Sequence, residues 1–67
     1  MKFLIGTNAA TNQTVYIPVE RISSIRYPVG YQKNGHRSTL ITWSETDGGL
    51  NFEQFKEKPS EFKFKEV

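Results

Sequence analysis

Turn-forming residues interrupt this sequence about every ten positions, and no apolar run between them is longer than Phe3-Leu4-Ile5. Short strands joined by tight turns satisfy that pattern. Long helices do not, because they need an apolar stripe at i, i+3, i+4 and i+7 sustained over three or more turns. A transmembrane helix would need ~20 apolar residues in a row. The punctuation alone therefore points to a small antiparallel β protein.

Along the chain, Lys2 to Thr7 reads as a first strand, with Phe3 and Ile5 on one side and Leu4 on the other. Asn8-Ala9-Ala10-Thr11-Asn12 supplies turn formers, and Thr14-Val15-Tyr16-Ile17 resumes a β-branched and aromatic run, so the pair reads as a hairpin. Pro18 has no N–H for a ladder and closes the second strand. A short 3₁₀ or α turn is expected near 19–22, followed by a strand from Ser23 to Tyr27. Residues 28–37 combine Pro, two Gly and an Asn-Gly and read as the longest loop, with Asn34-Gly35 also fitting a hairpin tip. Ser38 to Ser44 is the best strand by composition, and Asp47-Gly48-Gly49 is a strong turn. The run from Leu50 to Lys58 is ambiguous. Leu50 and Phe52 keep period two, while Glu53 to Lys58 consists largely of good helix formers, and Pro59 stops either element. The tail Phe62 to Val67 alternates aromatic with charged residues and reads as an edge strand whose lysines discourage stray pairing.

The expected fold is thus all-β: a single domain over 1–67, with five antiparallel strands in one strongly curved sheet or small open barrel. A short C-terminal helix replacing part of the fifth strand is the alternative. The expected core is Phe3, Ile5, Val15, Ile17, Ile22, Ile25, Ile41, Trp43, Phe52 and Phe55. At 67 residues the chain cannot divide its apolar side chains between two cores. A core this small rarely supplies more than ~3–5 kcal/mol, which makes self-association a natural second source of stability. Gly6-Thr7-Asn8 cuts off any apolar segment of a signal peptide, and there is no cysteine, so a cytoplasmic protein without disulfides or thiolate metal sites is expected.

No residue pattern marks a chemistry. His36, the single histidine, sits between Gly35 and Arg37 without a carboxylate to orient it or further ligands to share a metal, and reads as a solvated loop residue. Glu45 and Asp47 flank a turn, where an acidic side chain usually serves its own backbone. Neither Gly6 nor Gly48-Gly49 belongs to a phosphate-binding pattern. The chain is therefore read as a non-enzyme with no cofactor and no metal.

Charge placement says more than the net charge of +2. Arg21, Arg26, Lys33 and Arg37 fall in a segment without acids, interleaved with Tyr27, Tyr31 and His36, while most of the carboxylates lie in the C-terminal third. The leading expectation is an interaction module that docks on a protein partner or on itself through a strand edge, at 62–67, and the 28–37 loop. The rival is a nucleic-acid-binding module using the basic-aromatic segment 21–37. No membrane partner is expected. The spacing of Tyr16 to Ile25, Ser38 to Trp43 and the turn at Asp47-Gly48 loosely resembles the rhythm of LytTR-type DNA-binding domains and of small FlbD-like flagellar proteins. That likeness is one of strand spacing alone: no residue carries over, and no family is assigned.

Overall fold

A computed structural model describes residues 1–30 and 37–67. Among the described residues six strands run in the order β1 (Lys2–Thr7), β2 (Thr14–Pro18), β3 (Ile22–Val29), β4 (Ser38–Ser44), β5 (Leu50–Phe55) and β6 (Lys63–Glu66). A 3₁₀ turn at Val19–Arg21 separates β2 from β3, and another at Pro59–Glu61 precedes β6. The strands form two antiparallel three-stranded sheets, β2-β1-β6 and β3-β4-β5.

The all-β expectation holds; five strands in one sheet does not. The division falls at Pro18. Its missing N–H ends the β1–β2 ladder, the 3₁₀ turn redirects the chain, and β3 opens a new sheet with β4. The C-terminal helix alternative also gives way. Residues 50–55 pair with β4 along their whole length, from Ser44↔Leu50 to Thr39↔Phe55. Helix propensity at Glu53 and Gln54 is worth tenths of a kcal/mol, less than the ladder and the burial of Phe55. Phe62 lies just before the last strand and is buried, so the tail strand is shorter than 62–67. β3 likewise reaches Val29, two residues into the expected loop, and residues 31–36 lie outside the described residues.

One cluster fills the space between the sheets: Leu4, Ile17, Ile41, Trp43, Phe55 and Phe62, with Val15, Val19 and Ile22 packed against it. Four expected core residues are absent from it. Leu4 stands opposite Ile17, so the period-two alternation turns Phe3 and Ile5 to the outer face of the first sheet. Gly6 explains why that register wins. A Cβ there would lie 2.6 Å from Phe55 Cδ1 and 2.9 Å from Phe62 Cε1, so the bare backbone of β1 is what these two rings rest on. The rings meet edge to face, 5.9 Å between centroids at 78°. With Phe55 inward, Phe52, three residues earlier on a strand, must point outward and is 70% exposed. Ile25 pairs with Ile41 but lies on an edge strand and remains 46% exposed.

Asn8 ties the two sheets together. Its Oδ1 accepts from the N–H groups of Ala10 and Thr11, shaping the β1–β2 turn, and its Nδ2 donates to Glu53 on β5. An isolated bridge joins Asn8 to Phe55, flanked by bonds from Ala9 N–H to Gln54 O and from Lys56 N–H to Thr7 O. The buried Thr39 hydroxyl donates to the Glu57 carbonyl at 2.6 Å.

Candidate functional site

The basic segment does not assemble into one patch among the described residues. Arg21 is half-buried in the 3₁₀ turn before β3, and its carbonyl accepts from the Ser44 hydroxyl at 3.5 Å. Arg37 precedes Ser38, which pairs with Val29 at the far end of the same strand. Eight strand residues separate the two, about 26 Å at the usual rise. Arg26 is exposed midway, on the outer face of the second sheet, in a row with Leu40 and Gln54. Tyr27 is exposed where the β3–β4 register shifts, between Arg26 and Val29. Tyr31, Lys33 and His36 lie outside the described residues.

A different pairing of rings and cations occurs on the outer face of the first sheet. The registers place Lys65, Phe3 and Pro18 in one row and Lys63, Ile5 and Tyr16 in the next. Tyr16, Lys63 and Lys65 are exposed, and neither lysine is in an ion pair among the described residues. Beside this face lies an open groove of about 590 Å³, lined in part by Thr7, Thr14, Lys56, Glu57, Glu61 and Lys63. Its two carboxylates accept from neighbouring backbone and from one hydroxyl. Glu57 accepts from the Thr7 N–H and hydroxyl, both at 2.9 Å, and Glu61 accepts from the Lys58 N–H at 2.8 Å.

Glu45 and Asp47 serve their turn. Asp47 Oδ1 accepts from the Gly49 N–H at 3.0 Å, and Glu45 accepts from the Asn51 side chain. Among the described residues no group of three or more His, Cys, Asp or Glu side chains could hold a metal ion, and no helix is long and apolar enough to cross a membrane.

The feature that sequence reasoning missed is the edge of β5. Sheet edges expose unpaired N–H and C=O groups, and natural proteins guard them with lysine, proline, bulges or cover. Here β6 has Lys63 and Lys65, β2 ends in Pro18, and β3 carries Pro28 and two register shifts. Between Leu50 and Glu53, β5 has none of these. Gln54 turns its carbonyl away from β4 to reach Ala9, so by alternation the backbone groups of Phe52 and Leu50 also point away from β4. Among the described residues nothing meets them. Their side chains are the most exposed large apolar groups of the second sheet, Leu50 at 67% and Phe52 at 70%. The period-two spacing of Leu50 and Phe52 was visible in the sequence; that it marks an outer, unguarded edge depends on Phe55 being the inward residue.

The chain matches no protein-family model, no curated protein and no solved structure.

Proposed function

We propose that this protein is a non-catalytic interaction module that binds an extended protein segment by adding it as a strand to the free edge of β5. The observation that carries this reading is the coincidence, at Leu50 and Phe52, of outward-facing backbone groups with exposed apolar side chains. Main-chain bonding along an edge supplies affinity, and alternate side chains supply selectivity. The edge is short, because the β1–β2 turn already occupies Gln54. The strand edge at 62–67, which the sequence suggested, is the less suited of the two, since two lysines guard it.

The test uses a synthetic peptide with the sequence of residues 49–55, titrated into the labelled chain and followed by amide chemical shifts. Shifts confined to Leu50, Phe52 and their neighbours, abolished by Phe52→Pro and by Phe52→Lys, support strand addition. Proline removes only an outward N–H there and is tolerated at an edge. Binding that survives both substitutions, or shifts centred on β6, would refute it.

A second reading has its own observation in the rows of Lys63, Lys65, Phe3 and Tyr16: single-stranded nucleic acid lying on the outer face of the first sheet. Two phosphate contacts would give a log affinity against log salt slope of about −1.4. Loss of binding to a short oligonucleotide in Lys63→Ala and Lys65→Ala, with Arg26→Ala unaffected, favours this face. The reverse pattern returns the contact to the 21–37 segment.

A further inference from the structure

The free stretch of β5 is self-complementary. Among the described residues the outward N–H and C=O groups of Leu50 and Phe52 are all unmet, whereas Gln54 beyond them is already engaged at its carbonyl by Ala9, and Asn51 is the midpoint between the two free residues. A two-fold axis at Asn51 would set Leu50 opposite Phe52 of the second copy, and Phe52 opposite its Leu50. Each such pair exchanges two N–H···O bonds, so every unmet group of that stretch is used in both copies. The same register stacks Leu50 on Phe52 twice across the outer face and covers the two most exposed large apolar side chains of that sheet. No like charges meet, because Glu53, the one charged residue of β5, falls opposite Gly49. A longer foreign strand would run into the turn at Ala9, whereas the strand of a second copy ends at Gly49, opposite Glu53, and its chain turns back toward its own β4 at Gly48, the position this register sets opposite Gln54.

From this we infer that the occupant of the β5 edge is a second copy of this chain, paired antiparallel with Asn51 across from its mate to give one continuous six-stranded sheet. The inference rests on the strand-addition reading and adds the partner and the register. A net charge of +2 puts little repulsion in its way. Four backbone bonds and two Leu–Phe contacts make a small interface, so the dimer dissociates in the micromolar to millimolar range.

The absence of native cysteine allows a clean test. In an antiparallel pair without direct hydrogen bonds the facing Cα atoms are about 4.5 Å apart, within disulfide range. Asn51→Cys therefore forms a covalent dimer in mild oxidant, while Phe52→Cys and Lys65→Cys remain largely monomeric. Sedimentation equilibrium of the unmodified chain shows a monomer–dimer equilibrium that Phe52→Pro abolishes. A strict monomer at millimolar concentration overturns the inference. So does a dimer indifferent to Phe52→Pro, or cross-linking at Phe52→Cys or Lys65→Cys in preference to Asn51→Cys. The two readings separate cleanly: if the chain is monomeric yet the 49–55 peptide still binds at β5, strand addition stands and the second copy falls. If neither occurs, both fall.

Discussion

Replacing Gly6 by alanine probes how the two sheets are held together. Alanine needs no unusual backbone here, since Gly6 is not among the positive-φ residues, and the substitution alone would gain about 0.4–1 kcal/mol by stiffening the unfolded chain. The new methyl carbon, however, would sit 2.6 Å from Phe55 Cδ1 and 2.9 Å from Phe62 Cε1. Phe55 is fully buried and its ring is wedged against Phe62, so it cannot swing out to solvent. Overlap this close with two buried rings puts the cost in the upper part of the usual overpacking range, about 2–3 kcal/mol, leaving a net loss of about 1–2.6 kcal/mol. That is a large part of the ~3–5 kcal/mol expected of so small a core, and for 67 residues it corresponds to a fall in melting midpoint of about 7–18 °C. Thermal and urea unfolding followed by circular dichroism measure it. Combining Gly6→Ala with Phe55→Leu, which removes the obstructing ring edge, yields a double mutant more stable than the two single changes predict, by at least ~0.5 kcal/mol. A Gly6→Ala protein as stable as the unmodified chain, or strictly additive changes, would refute the packing of the rings on β1.

Ile41→Ala removes a fully buried side chain and is expected to cost about 2–5 kcal/mol, whereas Ile25→Ala, at an exposed edge position, costs under about 1 kcal/mol; urea titration of both separates a core residue from its cross-strand neighbour. Asn8→Ala loses the two turn bonds and the tie to Glu53, and is expected to lower stability by about 1–2 kcal/mol and to speed amide exchange at Ala9 and Lys56, measured by native-state hydrogen exchange. Thr39→Val deletes the donor to the Glu57 carbonyl while nearly keeping volume, so a loss of about 1 kcal/mol in the same titration reports the tether between β4 and the segment after β5.

Strand positions were legible in the sequence because turn chemistry is local: Asn8 to Asn12, Pro18 and Asp47-Gly48-Gly49 all end strands where their backbone preferences require. How the strands divide into sheets was not, since pairing is decided by contacts between residues far apart in the chain. β1 shows the limit most clearly. Its alternation offers Phe3 and Ile5 or Leu4 as the inward set, and larger apolar area favours the first. A lone glycine within the strand was the available signal for the second, because it marks a close approach by another group, here the rings of Phe55 and Phe62. In β5, Phe52 and Phe55 could not both face inward from a strand, and Phe55 is the one that meets Phe62. Distance along the chain was no guide to which charges share a face. Arg21 and Arg37 are near in sequence, but β3 lies stretched between them, whereas Lys63 and Tyr16 are distant in sequence and are brought into one row by β1.

Amide hydrogen exchange at Leu50 and Phe52, followed as protein concentration rises from micromolar to millimolar, bears most directly on the β5 edge as the docking site. Their outward N–H groups have no partner among the described residues of a single chain and exchange rapidly there. Strand addition predicts that protection appears at these two amides as association proceeds, while Asn51 and Glu53, bonded toward β4 throughout, change little. Protection that stays absent at Leu50 and Phe52 while the protein associates, or that appears along Lys63 to Glu66 instead, would contradict the account.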